Sequence, residues 1–422
     1  MEPTSLPPYL SAEEAAQLLN IRKDTLYAYV SRGRLRSIEI PNQKARGYLR
    51  DDVERLQQAK TLRQQPEATV QKALHWGVPL LRTQISHLHA GTLYYRDQPL
   101  EKLTSLSLED FLSHLWQKPA ISETAHWEPL YRQVHKRKRT AFEQVQSIFP
   151  PGSTWFNKMQ MLLPLWAVED HEYISTYPLK TEQSGAEYVL LQCWQAVGLQ
   201  VPAVHPMDSA APLSSCFKAL ELSANAQDLM RMLLILSAEH ELNLSSFTAR
   251  CVASGQGNLY QSLIAAYAAL NTPAHGGQVL KTQHFVRQGI NTNLERFFQE
   301  HLSTGDPIPM PGHPLYPEGD PRWHVFKTYL KTDWAHHEHA MHLLDLAERS
   351  QTIQKTWPTL DWVLAIGAEL LCPQWLNALD WFALGRMMGW LAHIQEQYSS
   401  PEMIRPRARW TPSATDSPQP ED

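Results

Sequence analysis

Apolar residues recur at three- and four-residue spacing along most of this chain, in segments such as LEDFLSHLWQ, DLMRMLLILSAEHEL and LYQSLIAAYAALN. That period gathers a buried stripe on one side of a helix, and it makes the body of the chain, from about Ala73 onward, all-α. Alternating patterns that suit strands are scarce beyond AGTLYYRDQPL. A chain of 422 residues exceeds what one small core organises, so two or three domains are expected. No apolar run is long enough to span a bilayer, and the opening MEPTSLPPYLSAEE has neither the basic nor the apolar region of a secretory signal. A cytoplasmic protein without membrane contact is the expectation. The four cysteines, Cys193, Cys216, Cys251 and Cys372, include no C-x-x-C pair and have apolar neighbours, which reads as buried free thiols.

The net charge of −5 is unevenly spread: from Arg22 to Arg50 there are eight Lys or Arg against two acids. Just before this basic island, Ser11 and Glu14 form an S-x-x-E capping box ahead of Ala12, Ala15, Ala16, Leu18 and Leu19. After a turn at Asn20, RKDTLYAYVSRG places Leu26, Tyr29 and Val30 at helical spacing and stops at Gly33. Two strands around a turn at Pro41 and Asn42, and a third helix capped by Asp51 or Asp52, should follow. This pattern, Tyr9 to about Leu56, resembles the winged helix-turn-helix of the excisionase and MerR-like families, with Asn20 where the family often has Gly. The resemblance implies a module over residues 1–60 that binds double-stranded DNA. Arg22, Lys23, Thr25 and Tyr29 would face the major groove, and Gln43, Lys44 and Arg46 in the wing would face phosphates or the minor groove. A basic face that is merely solvated, or a protein-contact module, is the alternative. Residues 61–72 read as a linker, and 411–422 as a disordered acidic tail.

In the helical body, polar residues stand at four places that helix packing alone does not require. His240 and Glu241 interrupt an apolar run in SAEHELN; His275 precedes two glycines in NTPAHGGQ; His313 and Arg322 sit in the proline-stiffened PGHPLYPEGDPR; and Asp361 lies in the apolar WPTLDWVLAIGAELL. Together with FALGRMMGWLAH and IRPRARW, in this order and at these gaps, they resemble citrate synthase. Weaker echoes in YYRDQPLEKL, LPLWAVED and HPMD extend the likeness over roughly Leu93 to Trp410.

The resemblance implies a large domain over 73–275 and 378–410, a small domain over 276–377, and condensation of an acyl-CoA with oxaloacetate. A carboxylate with the ordinary Asp pKa of about 3.9 is too weak to deprotonate a thioester methyl group unless charge arriving on the thioester oxygen is stabilised. By resemblance Asp361 is the base, neutral His275 stabilises the enolate, and His313 polarises the ketone. Arg322, Arg386 and Arg405 would hold the carboxylates, with His240 as a further contact. Arg405 would reach the neighbouring subunit's site, which implies a homodimer. No cofactor is expected beyond the coenzyme A thioester itself. Pro314 and Pro317 stand where family members commonly carry basic residues toward the coenzyme phosphates. HGGQV also lacks the usual Asn-Glu after its glycines, and HPMDSAAPL lacks an expected basic residue. Acetyl-CoA or propionyl-CoA could therefore be the donor, and a regulator whose synthase-like body senses oxaloacetate or acyl-CoA without turnover is the alternative. His336, His339 and His342 recur every three residues, but no H-E-x-x-H pattern accompanies them and no metal site is expected.

Overall fold

A computed structural model of the chain describes residues 9–31, 35, 37–39, 46–49, 53, 81–123, 125–134, 148–150, 152–170, 184–198, 212–310, 312–371 and 376–406. It divides into two compact units, Met1–Arg82 and Thr83–Asp422.

The first unit pairs two short helices with a three-stranded sheet. Helix α1 (Ala12–Leu19) starts at the predicted capping box: Ser11 Oγ accepts from the Glu14 amide, and Glu14 Oε2 accepts from the Ser11 amide at 2.8 Å. It ends at Asn20, whose φ of 47° is the left-handed conformation that asparagine tolerates. Helix α2 (Lys23–Ser31) follows directly. Strands β1 (Tyr9–Leu10), β2 (Ser37–Glu39) and β3 (Arg46–Leu49) pair antiparallel in the order β1-β3-β2. Leu10, Ala15, Ala16, Leu19, Leu26, Leu35, Tyr48 and Val53 form its core. The expected turn at Pro41–Asn42 and the caps Asp51 and Asp52 lie outside the described residues, as do the 61–72 linker and the 411–422 tail.

The second unit opens with the antiparallel strands β4 (Ser86–His89), β5 (Thr92–Tyr95) and β6 (Gln98–Pro99), the strand-like stretch seen in the sequence. Helices make up the rest of its described framework: α3 (Leu108–Trp116), α4 (Trp155–Glu169), α5 (Ser184–Gly198), α6 (Ala224–Ser237), α7 (Leu244–Ser254), α8 (Leu259–Leu270), α9 (Gly276–Gly289), α10 (Leu294–Thr304), α11 (Pro321–Asp333), α12 (Glu338–Gln354), α13 (Leu360–Leu371) and α14 (Ala378–Tyr398).

Helix α14 is the axis. It is buried on every side, which a helix that is apolar all round requires. Asn377 and Asp380 close a capping box at its start, and Asp380 Oδ1 also accepts from the Phe156 amide at 2.7 Å, tying in the first turn of α4. Trp194 donates to Leu384 O and Trp116 to Met388 O, so α5 and α3 are hydrogen-bonded to the same helix. Gly385 lets α6 cross it closely: a Cβ there would stand 2.0 Å from Ser237 Oγ and 2.6 Å from Leu234 O. That crossing holds the C-terminal end of α6, and with it the turn that carries His240, against Arg386.

Candidate active site

The loop that carries His313 is held from both sides. Thr356 Oγ1 donates to Met310 O at 2.7 Å and Trp362 Nε1 to Pro309 O at 3.0 Å. Gly319, at φ 109°, has His324 and Trp357 packed where a Cβ would go. Asp320 then caps α11, with Pro321 in the first helical position, where its missing N–H costs nothing. The Asp320 carboxylate also takes Arg322 Nε at 2.8 Å and Nη2 at 2.6 Å, and accepts from the Leu360 amide at 3.2 Å. One buried carboxylate thus joins the loop, α11 and the start of α13, where Asp361 follows Leu360.

Around this anchor, His240 and His313 meet edge to face with ring centroids 4.9 Å apart. The Leu315 amide donates to His313 Nδ1 at 3.3 Å. Burial and the Arg322 guanidinium depress the His313 pKa to about 4, so the ring is neutral at neutral pH. A neutral imidazole accepting at Nδ1 carries its proton on Nε2, which makes Nε2–H the ring's donor. His240 is likewise kept neutral by burial and by Arg322, His313 and Arg386, with its pKa well below the ordinary value. Asp361 goes the other way: burial lifts its pKa to about 6 against the opposing pull of Arg322. That value makes it a stronger base than an ordinary carboxylate.

Arg386 is buried and donates from Nε to Ser237 O at 2.6 Å. Among the described residues no carboxylate forms an ion pair with it. Its guanidinium lies 4.8 Å over the Phe382 ring, and His275 meets that ring edge-on at 5.6 Å. His275 itself stands just before α9. A side chain at the next position would strike Leu270 O at 2.4 Å, so Gly276 is what lets the chain turn there. His275 Nε2 lies 3.1 Å from Ser245 Oγ, which also contacts Asn243 Oδ1 and accepts from Trp390 Nε1. Burial, reinforced by Arg386, lowers the His275 pKa to about 3.

His240, His313, Arg322 and Arg386 therefore form one cluster. Asp361 is joined to it through Asp320, and His275 through Phe382 and Arg386. Among the described residues no hydrogen bond links Asp361 directly to His275. Arg405 is exposed, and its neighbour Ile404 donates to Ser254 Oγ at 3.0 Å. Ser254 is nine residues along α7 from Ser245, about 13 Å at the helical rise. The histidines of WAHHEHAMHLL serve other ends: His342 contacts Gly289 O at 2.9 Å and His337 caps α12. Among the described residues no group of three or more His, Cys, Asp or Glu could hold a metal ion.

In the first unit Arg22, Lys23, Thr25 and Arg46 are exposed, while Tyr29 packs partly against the core. Lys23 is ion-paired to Glu13, and Tyr27 is the phenol turned outward. Gln43 and Lys44 lie outside the described residues. Sequence reasoning assigned no role to Asp320, Ser245 or Tyr316. Of these only Asp320 carried a readable signal, an Asp-Pro pair at a helix start.

Residues 73–407 match the family described as citrate synthase, C-terminal domain, and residues 9–61 match a helix-turn-helix domain. Among characterised relatives, citrate synthase 2 of Bacillus subtilis is 33% identical over 192 residues, 42% of this chain and 49% of that protein, so this match spans about half of the relative's length. The citrate synthase of Synechocystis is 24% identical over 78% of this chain and 88% of its own. 2-Methylcitrate synthase 2 of Corynebacterium glutamicum is 25% identical over 81% and 94%. The fold is similar to that of citrate synthase from Thermotoga maritima, with a TM-score of 0.63, 20% identity, and coverage of 80% of this chain and 95% of that one. It is also similar to the Thermoplasma acidophilum citrate synthase solved as a ternary complex with carboxymethyl coenzyme A and oxaloacetate, with a TM-score of 0.65, 20% identity and the same coverage.

The depressed histidine pKa values have a consequence for stability. Folded His275 takes a proton only near pH 3, whereas the unfolded side chain does so near 6.5. Between those values the unfolded chain binds the extra proton, so the contribution is complete above pH 6.5 and is lost as pH falls. At pH 5 this amounts to about 2 kcal/mol. Thermal unfolding followed from pH 7 to pH 5 should show a smaller loss for His275→Asn than for the parent protein. An equal loss would mean that His275 is not held neutral by the fold.

Proposed function

The chain belongs to the citrate synthase family, and on that premise we propose that it joins an acyl-CoA thioester to oxaloacetate. The observation that carries this reading is Arg386: a buried guanidinium without a carboxylate partner among the described residues, beside two neutral imidazoles. Such a charge is costly unless an anion arrives to pair with it, and a small diacid supplies one. One carboxylate would meet Arg386. The other would meet the Arg322 guanidinium edge that Asp320 leaves open.

In this reading the ketone oxygen faces His313 Nε2–H. Asp361 takes a proton from the carbon next to the thioester, and charge passes to the thioester oxygen, where neutral His275 stabilises it. The enolate carbon then bonds to the ketone carbon, and the resulting alkoxide is held by His313 until it is protonated. Water cleaves the thioester and releases CoA thiol. Asp361 and His275 belong to different elements, so a closing motion that brings them to either side of the acyl group, and expels water, fits the family's chemistry.

Release of CoA thiol should therefore depend on oxaloacetate. Acetyl-CoA and propionyl-CoA are both assayed, because Pro314 and Pro317 alter the coenzyme's surroundings. Asp361→Asn should reduce turnover by at least about a hundredfold while oxaloacetate still binds. Binding without turnover in the parent protein would favour the regulatory reading instead, since a sensor has no use for a base.

A homodimer is the second part of the proposal. Met161, Pro164, Leu165 and Val168 repeat at three and four residues along α4, and Val168 is 75% exposed. A second copy would cover this apolar stripe, and Arg405, tethered away from its own Ser245, would serve that copy's site. Co-expression of Arg405→Ala with His313→Ala tests this. Dimers carrying one of each would keep one intact site, so activity should recover to about a quarter of the parent value. No recovery would place Arg405 in its own chain's site.

For the first unit we propose binding to double-stranded DNA, supported by the helix-turn-helix match and the exposed Arg22, Thr25 and Arg46. Lys23, paired with Glu13, is the weaker contact. Affinity in a gel shift should fall steeply between about 50 and 200 mM salt. Absence of binding at the lower salt would remove the DNA reading.

A further inference from the structure

Tyr316 stands inside the cluster of His240, His313 and Arg322 and has no part in the proposed mechanism. Its amide donates to His313 O at 2.9 Å across the Pro314–Leu315 turn. The phenol and the His313 imidazole consequently stand side by side, with ring centroids 4.8 Å apart. The phenol ring also meets His240 at 5.4 Å, and the Arg322 guanidinium lies 5.8 Å over its face. Its hydroxyl is 2.6 Å from His240 Nε2, a short contact between residues 76 positions apart. Tyr316 also lies close enough to Arg386 to act on its charge.

We infer that the Tyr316 hydroxyl belongs to the diacid-binding set, as the donor through which His240 reaches a substrate carboxylate. The inference rests on the oxaloacetate reading above and deepens it. It follows from proton counting. The hydroxyl has one proton and neutral His240 has one. If the hydroxyl points its proton at Nε2, the phenol oxygen turns lone pairs toward the substrate carboxylate at Arg322, and the two repel. If His240 carries its proton on Nε2, the imidazole donates to the phenol oxygen and the phenol donates onward to the carboxylate. The second arrangement gives Nε2, the phenol oxygen and the carboxylate a partner each, and binding of the anion must outweigh the His240 ring's hydrogen bond to its own backbone, which the first arrangement keeps. Burial raises the phenol pKa above its ordinary value, so the hydroxyl keeps its proton over the working range. Pro314 within the turn and Pro317 after it restrict the backbone that aims the phenol.

The test is a double-mutant cycle on oxaloacetate affinity, measured by calorimetry on the full chain with the parent, Tyr316→Phe, His240→Gln and the double variant. Tyr316→Phe should weaken oxaloacetate about tenfold, as expected for one hydrogen bond to a charged group. KM for acyl-CoA and kcat at saturating oxaloacetate should change less than about threefold, a split that a merely structural role would not produce. Because the two groups act in series, the double variant should bind within about twofold of Tyr316→Phe. Unchanged or tighter binding by Tyr316→Phe, or losses that simply multiply in the double variant, would overturn the inference. A parent protein that does not bind oxaloacetate would instead sink the underlying function, and this inference with it.

Discussion

The site depends on one buried carboxylate. Asp320 caps α11, grips Arg322 through two nitrogens and accepts the first amide of α13, so it fixes in one place the loop with His313, the guanidinium and the carboxylate Asp361. A buried ion pair contributes little net stability, because desolvating both charges offsets their attraction. Removing one partner, however, costs about 3–5 kcal/mol. The interaction therefore serves geometry more than stability: with Asp320 gone, Arg322 would be an uncompensated charge and α13 would lose the partner of its first amide.

The electrostatics follow from this arrangement. Burial makes protonation of the imidazoles unfavourable, and the buried guanidiniums Arg322 and Arg386 act in the same direction, so His240, His275 and His313 are held neutral. A neutral imidazole can donate a hydrogen bond without repelling a neighbouring guanidinium. The same burial lifts the Asp361 pKa to about 6, where a carboxylate is still ionised at neutral pH but binds a proton far more readily than an exposed one. Opposite shifts in groups of opposite charge type are what a site needs when it must take a proton at one point and stabilise an oxyanion at others.

Much of this was legible in the sequence, unevenly. The Ser11–Glu14 capping box and the helical body are local patterns, set by spacing within a few residues, and the structure forms them where the spacing placed them. The order of the histidine, arginine and aspartate motifs pointed to the family, which the match over residues 73–407 establishes. What could not be read were pairings made by tertiary crossings. Trp390 reaches Ser245 across 145 positions and Tyr316 reaches His240 across 76. No periodicity encodes which turn of one helix faces which turn of another. The first unit shows the same limit: the place of Lys23 in α2 suggests a side chain facing the major groove, but Glu13 on α1 lies within reach and pairs with it.

The unpaired state of Arg386 also has a cause deeper in the core. Glu239, directly before His240, is near enough to favour the charged guanidinium, yet its carboxylate is committed elsewhere: Oε1 lies 3.1 Å from His393 Nε2, and Oε2 accepts from Ser246 at 3.2 Å. Although burial works against charge on His393, Glu239 and Glu396 together raise its pKa above the ordinary value. Glu396 is in turn held by Arg250 at 2.8 Å. Gly389 makes room for the Glu239 carboxylate, since a Cβ at that position would be 2.4 Å from its Oε2. Glu239 thus makes burial of Arg386 tolerable without neutralising it. Held by His393, Glu239 forms no direct pair with Arg386, and among the described residues no other carboxylate does.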